Sequence, residues 1–214
     1  MAWSTGKDST SVLTLLRQVE KQLNAENEDD QFKTPVIFMD GGLNPPGTNE
    51  YLKKFDDINI YKPKLSLLES VEKYGFNIDK KTRYKNDALN DFYEDYPDYQ
   101  GRIMGIRYNE NSARKNLFKR GHTYFSERDW EWTCNPIYNW SFEDVFAFLV
   151  SSNTPIHPHY SAPGTQTLEH RRVGDMLGHH GSEFGRFTHV KEMYPEFYYK
   201  LKEHKFLKEL TNYE

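Results

Sequence analysis

The sequence MAWSTGKDSTSVLTLLRQVEKQL, residues 1–23, places a polar turn between a short apolar segment and a helical pattern. Apolar residues at positions 12, 13, 15, 16, 19 and 23 share one helix face. They predict a helix from Ser9 that has Ser or Asp as its N-cap and fades over residues 24–27. Residues 1–3 are typical of the end of a strand. The turn 4–9 therefore joins a predicted strand to the N-terminus of a predicted helix.

The composition of this turn favours anion binding. A helix N-terminus offers unpaired N–H groups and the positive end of the helix dipole, and both attract an anion. Gly6 permits close approach to the backbone, Lys7 adds a positive charge, and Ser4 and Ser9 offer hydroxyl groups. Asp8 could hold a Mg²⁺ ion that bridges phosphate oxygens. The alternative is a capped surface helix that carries a basic residue, because the turn lacks the spacing of a Walker motif.

Predicted strands and helices alternate along the rest of the chain. A buried strand at 34–39 ends in Asp40, Gly41 and Gly42, a candidate functional loop or an ordinary turn. Other strands are predicted at 58–61, 102–107 and 132–138, and helices at 51–55, 66–74, 145–150 and 190–210, with helix and loop over 79–100 and a capping box at 141–144. Such alternation is typical of a parallel sheet covered by helices, where ligands bind at the carboxyl ends of the strands.

The composition argues against several classes of protein. The 214 residues carry 28 Lys and Arg against 32 Asp and Glu, and this net charge of −4 argues against a mainly electrostatic grip on nucleic acid, although it leaves a local basic groove open. A mean hydropathy of −0.89 argues against membrane insertion. The single cysteine, Cys134, cannot form an internal disulfide or a cysteine-ligated iron–sulfur cluster, so we expect a cytoplasmic protein.

Five segments occur in the order found in a known family. The turn STGKDS at 4–9 resembles the SGGKDS-type PP-loop of the adenine nucleotide α-hydrolase superfamily, and within it the phosphoadenosine phosphosulfate (PAPS) reductase-like family. DGGL at 40–43 is similar to that family's D-T-G-L loop, and Glu50 falls where the family tends to place Glu. GIRYNENSAR at 105–114 resembles its G-x-R-x-x-E…R segment, NPIYNWSFEDVF at 135–146 its P-L-x-x-W-x-x-x-D-V-W block, and PIHPHY at 155–160 its P-x-N-P-L-Y segment.

The resemblance implies a Rossmann-like three-layer α/β/α sandwich of about five mainly parallel strands. Residues 1–150 would form the PP-loop nucleotide-binding domain. Residues 151–214 would form a C-terminal loop and helical extension packed on the same domain. It also implies an enzyme that cleaves ATP between the α and β phosphates, adenylylates an acceptor and releases pyrophosphate. The acceptor is open, with FMN and a nucleobase or nucleic-acid pathway as candidates, and a homodimer is left open.

The same resemblance assigns the site residues. Nucleotide-binding positions are Ser4, Thr5, Gly6, Lys7, Ser9, Asp40, Gly41, Gly42, Gly105 and Arg107, catalytic candidates are Lys7, Asp8, Arg107 and Arg114, and Mg²⁺ ligands are Asp8 and Asp40. Arg107 and Arg114 could also grip phosphate or sulfate on chemical grounds alone. Their alternative is a surface ion pair with Glu110.

Departures from the family limit what the resemblance implies. PAPS reductases act through a cysteine in a C-terminal tail, whereas residues 205–214 contain none, which argues against a thiol-dependent reductase. Cys134 lies in or beside a predicted strand, as a small buried apolar residue would. Zinc is also disfavoured. Either the group His179, His180 and His189 or the pair His157 and His159 could bind it, but histidines in solvated loops are commoner.

Two rival functions stay open at this point. The first is a sulfonucleotide reductase that borrows an external thiol, and the second is a non-catalytic module that binds or senses an adenine nucleotide. Fold alone does not separate them.

Overall fold

The computed structural model describes residues 1–27, 29, 31–74, 86–110, 112–174 and 184–203. Its helices are α1 (Lys7–Glu26), α2 (Thr48–Leu52), α3 (Leu67–Tyr74), α4 (Asn86–Asp95), α5 (Leu117–Arg120), α6 (Phe142–Ser151), α7 (Phe184–Met193) and α8 (Pro195–Lys202). Its strands are β1 (Val36–Met39), β2 (Ile58–Tyr61), β3 (Gly101–Ile103), β4 (Thr123–Ser126) and β5 (Glu131–Cys134). Short 3-10 turns cover Ser112–Asn116 and Pro158–Ser161.

Parallel strand pairing places the amino-terminal segment as the sequence predicts. Ala2 forms a parallel bridge with Ile37 of β1, where the Trp3 N–H donates to the Ile37 carbonyl at 2.8 Å. β1 and β2 form a two-stranded sheet, and β3 pairs in parallel with β5. The predicted α/β class with parallel pairing is therefore confirmed.

The β4–β5 hairpin was not predicted. β4 pairs antiparallel with β5, so the second sheet has the order β3-β5-β4 and is mixed. The predicted strand 102–107 ends at Ile103, and the predicted strand 132–138 ends at Cys134. Both stop early because the backbone beyond them turns to make other hydrogen bonds, such as that from the Tyr108 N–H to the Tyr138 carbonyl at 2.7 Å.

Helix ends follow local chemistry in two different ways. At α6 the predicted capping box is confirmed: the Ser141 hydroxyl accepts from the Asp144 N–H at 3.0 Å, and the Asp144 carboxylate accepts from the Ser141 N–H at 2.8 Å. At α1 the predicted cap is wrong. The helix begins at Lys7, two residues earlier than expected, with Gly6 as its N-cap and no side chain capping it. Ser9, a candidate cap, donates its hydroxyl to the Gly6 carbonyl at 3.0 Å instead.

The described chain divides into two compact units. The first contains Met1–Phe38, Lys54–Ile60 and Tyr96–Ile156, and the second contains Met39–Lys53, Tyr61–Asp95 and His157–Glu214. In the first unit α1 packs against α6, and the Thr14 and Thr154 hydroxyls lie 3.2 Å apart. Its buried core includes Trp3, Val12, Leu13, Val36, Ile37, Phe38, Ile137, Val145 and Leu149.

In the second unit α7 packs against α8. The C-terminal segment is helical as predicted, but the predicted helix 190–210 is two helices that break at Tyr194, and the first begins earlier, at Phe184. Residues 204–210 lie outside the described residues. Buried apolar residues of this unit include Leu43, Tyr51, Leu67, Phe92, Tyr160, Val190, Met193, Tyr198 and Leu201. Across the described residues, no helix has both the length and the apolar character needed to cross a membrane.

A buried arginine organises the loop of residues 159–171, which belongs to the second unit. The Arg171 side chain is 6% exposed, and its guanidinium donates to five backbone carbonyls, those of His159, Tyr160, Ala162, Gly164 and Gln166, at 2.6–3.3 Å. A fork of five N–H groups suits this arrangement and an amine would not. Arg171 therefore fixes the path of a loop that has no regular structure of its own after the 3-10 turn.

Arg171→Gln is expected to lower the free energy of unfolding by about 3 kcal/mol, because hydrogen bonds to charged groups are lost and carbonyls lose their partner. The neighbouring residue supplies the control: Arg172 is exposed, and Arg172→Gln is expected to change stability by less than about 0.5 kcal/mol. Urea unfolding of both variants checks this. Equal destabilisation by the two substitutions would contradict the role given to Arg171.

Candidate functional site

The turn before α1 is held by hydroxyl groups. Ser4 and Ser9 place their Oγ atoms 3.0 Å apart, and the Thr5 hydroxyl donates to the Ser4 carbonyl at 2.6 Å. Thr5 has φ +60°, in the left-handed region that a β-branched residue rarely adopts. The PP-loop pattern that this turn resembles has Gly at this position, and the backbone conformation gives a reason for it. Strained backbone of this kind concentrates at functional sites.

The first turn of α1 is buried, so the alternative of a capped surface helix is not what the chain forms. Lys7 is 2% exposed and Asp8 is 9% exposed. Ser9, Thr10 and Ser11 are also buried, and the Trp3 indole N–H donates to the Thr10 hydroxyl at 3.0 Å. A helix N-terminus that is buried and has no side-chain cap is a place where a bound anion can accept from the backbone N–H groups.

Two cations meet at the carboxylate of Asp8. The Lys7 Nζ lies 3.0 Å from Asp8 Oδ2, and the Arg107 Nε lies 2.7 Å from Asp8 Oδ1. Arg107 is 1% exposed although it is 99 residues away from Asp8 along the chain. Asp8 therefore fixes the position of both cations beside the positive end of the helix dipole.

A glycine allows this meeting. A Cβ added to Gly105 would lie 2.8 Å from the backbone of Asp8 and Ser9, closer than real Cβ contacts. Gly105 follows β3 by two residues and precedes Arg107 by two. The absence of a side chain here lets the segment after β3 pack directly on the first turn of α1, which brings Arg107 to Asp8.

A polar network after Gly105 holds Arg107 and Arg114. The Arg107 Nη1 donates to the Asn109 Oδ1 at 3.0 Å, and the Arg107 N–H donates to the Glu110 Oε1 at 2.9 Å. Arg114 forms an ion pair with Glu110, and about a third of the Arg114 side chain is exposed. The side chains of the two predicted arginines thus have different partners: Arg107 contacts Asp8, whereas Arg114 contacts Glu110. The Glu110 side chain is only 2% exposed, so this is not the pair of surface charges considered as the alternative, and a phosphate-binding role for Arg114 stays a prediction.

Asp8 does not fit a Mg²⁺ ligand in this arrangement. Both of its carboxylate oxygens are engaged by cations, and a divalent cation placed beside them would be repelled. Among the residues that the structure describes, no group of three or more His, Cys, Asp or Glu side chains could hold a metal ion. Binding of Mg²⁺ together with ATP stays a prediction from the sequence.

The predicted loop Asp40, Gly41 and Gly42 belongs to the second unit. The Asp40 Oδ1 accepts from the Gly42 N–H at 3.0 Å and from the Asn44 amide at 2.7 Å, and Gly42 has φ +82°. These are the contacts of a turn-forming aspartate. A nucleotide or metal role for these three residues stays a prediction.

The histidines considered as zinc ligands, and disfavoured from the sequence, have other contacts or lie outside the described residues. The His157 Nε2 lies 3.0 Å from the Thr48 hydroxyl, and the His159 Nδ1 lies 3.0 Å from the Tyr194 hydroxyl. Burial lowers the pKa of both His157 and His159 to about 4. Charge repulsion adds a smaller lowering, from His159 at His157 and from Arg171 at His159. His179 and His180 lie outside the described residues, and His189 approaches Glu192 at 3.7 Å.

Two polar residues of the first unit that were not among the predicted site residues have unusual surroundings. The Asn109 Oδ1 accepts a hydrogen bond from the Arg107 guanidinium. Its only signal in the sequence is its position within the segment GIRYNENSAR, residues 105–114. Asn135 is fully buried, and its amide nitrogen and oxygen have no hydrogen-bond partner in the described structure. It follows β5 directly, next to the Met104 N–H, which donates to the Cys134 carbonyl at 2.9 Å. Cys134 itself is half-buried in β5.

A known protein family matches most of the chain. The family model of the phosphoadenosine phosphosulfate reductase domain matches residues 1–180. No curated protein matches the sequence significantly.

Among solved structures, the chain is similar to PAPS reductase from Candida auris in a phosphate complex, with 18% identity and a TM-score of 0.56, over 83% of this chain and 81% of that one. It is also similar to Candida glabrata FMN adenylyltransferase with FAD and inorganic pyrophosphate, with 16% identity and a TM-score of 0.54, over 78% of this chain and 52% of that one. A third similar structure is yeast FAD synthetase with FAD, with 16% identity and a TM-score of 0.52, over 92% of this chain and 66% of that one. The chain spans about half the length of that adenylyltransferase. At these identities the likeness shows a shared Rossmann-like fold.

Proposed function

Since the chain belongs to the phosphoadenosine phosphosulfate reductase domain family, we propose that it binds an adenine nucleotide at the first turn of α1 and cleaves it between the α and β phosphates. The products are pyrophosphate and an adenylylated acceptor. This is the reaction class that the PP-loop resemblance implies for residues 4–9.

One observation carries the proposal: the fold brings Arg107 across 99 residues to Asp8 and Lys7, at a buried helix start that no side chain caps. Burial of two cations costs free energy unless anionic partners compensate their charges, and here Lys7 and Arg107 share the single carboxylate of Asp8. A polyphosphate satisfies both the cations and the N–H groups of the helix start.

Each residue then has a role that needs no covalent intermediate. Lys7 and the backbone N–H groups of the first turn hold the outer phosphates. Arg107, positioned by Asp8 and Asn109, neutralises charge that develops as the α-phosphate is attacked, and Arg114 acts from the more exposed side. The hydroxyls of Ser4 and Ser9 keep the turn in shape through their mutual contact.

The acceptor is proposed from the neighbours alone. Two of the similar structures are an FMN adenylyltransferase and an FAD synthetase, so FMN is the first acceptor to test. A second candidate function is sulfonucleotide binding, which the similarity to a PAPS reductase over most of both chains favours. Cys134 lies in the central strand of its sheet, so a reductase of this chain would need a thiol from elsewhere.

Lys7→Met is expected to weaken ATP binding roughly 10- to 100-fold, because one charge-assisted hydrogen bond to phosphate is lost. Pyrophosphate release from ATP in the presence of FMN is expected to fall at least as much. Lys21→Met is the matched control, since Lys21 is an exposed lysine on the same helix. Isothermal titration gives the affinity, and a pyrophosphate assay gives the turnover.

The wild-type protein separates the candidates. ATP binding with pyrophosphate release supports the proposal, and ATP binding without release for any acceptor supports the sensing module instead. Tighter binding of PAPS than of ATP favours the sulfonucleotide function. If Lys7→Met and Lys21→Met bind ATP equally well, the site is not at the first turn of α1.

A further inference from the structure

The carboxylate of Asp8 has the contacts that a bound anion would have. Each of its oxygens contacts a different cation: Oδ2 lies 3.0 Å from the Lys7 Nζ, and Oδ1 lies 2.7 Å from the Arg107 Nε. All three residues are buried. Lysine and arginine bind phosphate oxygens through charge-assisted contacts of the same length. Asp8 therefore holds the two cations that the proposed function assigns to a polyphosphate.

The contact between Lys7 and Asp8 is not one that a helix favours by itself. They are the first two residues of α1, and successive side chains of a helix point about 100° apart, so that neighbours do not face each other. The Lys7 amine therefore bends towards Asp8. A buried ammonium group needs an anionic partner, and Asp8 supplies one at the start of the helix. An anion that binds more strongly at the same place would supply it instead.

Arg107 has other contacts that hold it in place without Asp8. Its guanidinium uses a separate nitrogen for each partner, because the Nε donates to Asp8 and the Nη1 donates to the Asn109 Oδ1 at 3.0 Å. Its backbone N–H donates to the Glu110 Oε1 at 2.9 Å. A phosphate oxygen can therefore replace the carboxylate at the Nε while the arginine stays where it is.

Asp8 engages the cations but leaves the backbone of the helix start to a ligand. Within the described residues, neither of its carboxylate oxygens accepts from a backbone N–H. The first bond of the α1 ladder is donated by the Thr10 N–H to the Gly6 carbonyl at 2.9 Å, so the N–H groups of Asp8 and Ser9 precede the ladder. A polyphosphate gains these N–H groups as well as the cations, and this additional gain allows it to displace the carboxylate.

We propose that Asp8 is a specificity-determining residue whose carboxylate competes with the ligand for Lys7 and Arg107. This inference rests on the proposed function. A competing carboxylate weakens the binding of every anion that uses the two cations, so a weak anion such as sulfate no longer occupies the site, whereas a polyphosphate does. Removal of the carboxylate charge then tightens anion binding. Removal of a metal ligand or of a purely supporting contact would weaken it.

The test is isothermal titration of the full chain with inorganic pyrophosphate and, separately, with sulfate. The buffer contains EDTA, so that no divalent cation links the carboxylate to a phosphate. Asp8→Asn, which keeps the shape of the side chain, is expected to bind pyrophosphate about tenfold more tightly than the wild type, and to bind sulfate detectably. Its unfolding temperature is expected to be lower, because two buried cations lose their carboxylate, and to rise more on addition of pyrophosphate.

Glu26→Gln is the matched control, because it removes the same charge from an exposed residue at the other end of α1. It is expected to bind both anions as the wild type does. If Asp8→Asn does not fold, Lys7→Met is compared with the double variant Lys7→Met, Asp8→Asn, which is expected to bind pyrophosphate more tightly than Lys7→Met alone.

The outcomes distinguish this inference from the proposed function. If the wild type binds pyrophosphate and Lys7→Met weakens the binding, but loss of the Asp8 charge leaves it equal or weaker, this inference alone is overturned. If neither the wild type nor Asp8→Asn binds pyrophosphate, the phosphate site of the proposed function is wrong and the inference falls with it.

Discussion

Gly105→Ala is expected to reduce pyrophosphate release about a hundredfold, although the substitution adds a single methyl group. The added Cβ would lie 2.8 Å from the backbone of Asp8 and of Ser9, so the segment after β3 or the first turn of α1 must move. Backbone cannot yield as a flexible side chain does, and overpacking of this kind also costs about 1–3 kcal/mol of stability. A displacement of about 1 Å between Arg107 and the phosphates is enough for the loss of activity.

Gly174→Ala is the control for this substitution, because a Cβ at Gly174 would meet nothing within 4 Å. Its stability and turnover are expected to stay close to those of the wild type. Measurement of both variants by thermal unfolding and by the pyrophosphate assay separates misplacement from unfolding. Activity of Gly105→Ala equal to that of Gly174→Ala would show that the packing of Gly105 on α1 has no part in the site.

Acidification from pH 7 to pH 4 is expected to destabilise the protein by roughly 3 kcal/mol for each of His157 and His159. Burial lowers the pKa of both to about 4 in the folded state, against the ordinary value of 6.5 that the unfolded chain has. Below pH 6.5 the unfolded chain therefore binds protons that the folded chain does not, and the free energy of unfolding falls until the pH reaches the folded pKa. Stability from this source is fully present above pH 6.5.

In the upper part of this pH window, the expected loss of stability comes from the histidines and not from the carboxylates. Hydrogen bonds hold the pKa of Asp129 and Asp144 below 3.8, so their effect on stability comes at lower pH. Denaturant unfolding between pH 7 and pH 5 is expected to show the fall in the wild type, and to show less of it in the double variant His157→Asn, His159→Asn. NMR titration gives an independent readout. If both imidazoles titrate near pH 6.5 in the folded protein, the prediction is wrong.

Local signals in the sequence were sufficient for several elements. The predicted strand 58–61 has the bounds of β2, and the helix at 66–74 begins one residue late, at Leu67. The capping box at Ser141 and Asp144 forms as predicted. In each case the residues that determine the element lie within a few positions of one another, so pattern and side-chain chemistry act without help from distant residues.

Features that depend on distant residues could not be predicted in the same way. The contact between Asp8 and Arg107 depends on the packing of Gly105 on α1, which no spacing in the sequence reveals. Burial of Lys7 likewise follows from tertiary packing. The strand β4 was missed because its four residues, TYFS, lie between polar residues and do not follow the alternation of a half-buried strand. Phe125 is apolar but lies on the exposed face, where that alternation predicts a polar residue.

The position of a polyphosphate at the first turn of α1 is tested most directly by NMR of the backbone amides during titration with inorganic pyrophosphate. The account predicts saturable shifts at Asp8 and Ser9 that follow one binding curve and disappear in Lys7→Met, while the amides of α8 stay in place. Saturation of the protein with pyrophosphate without any shift at Asp8 and Ser9 would contradict it.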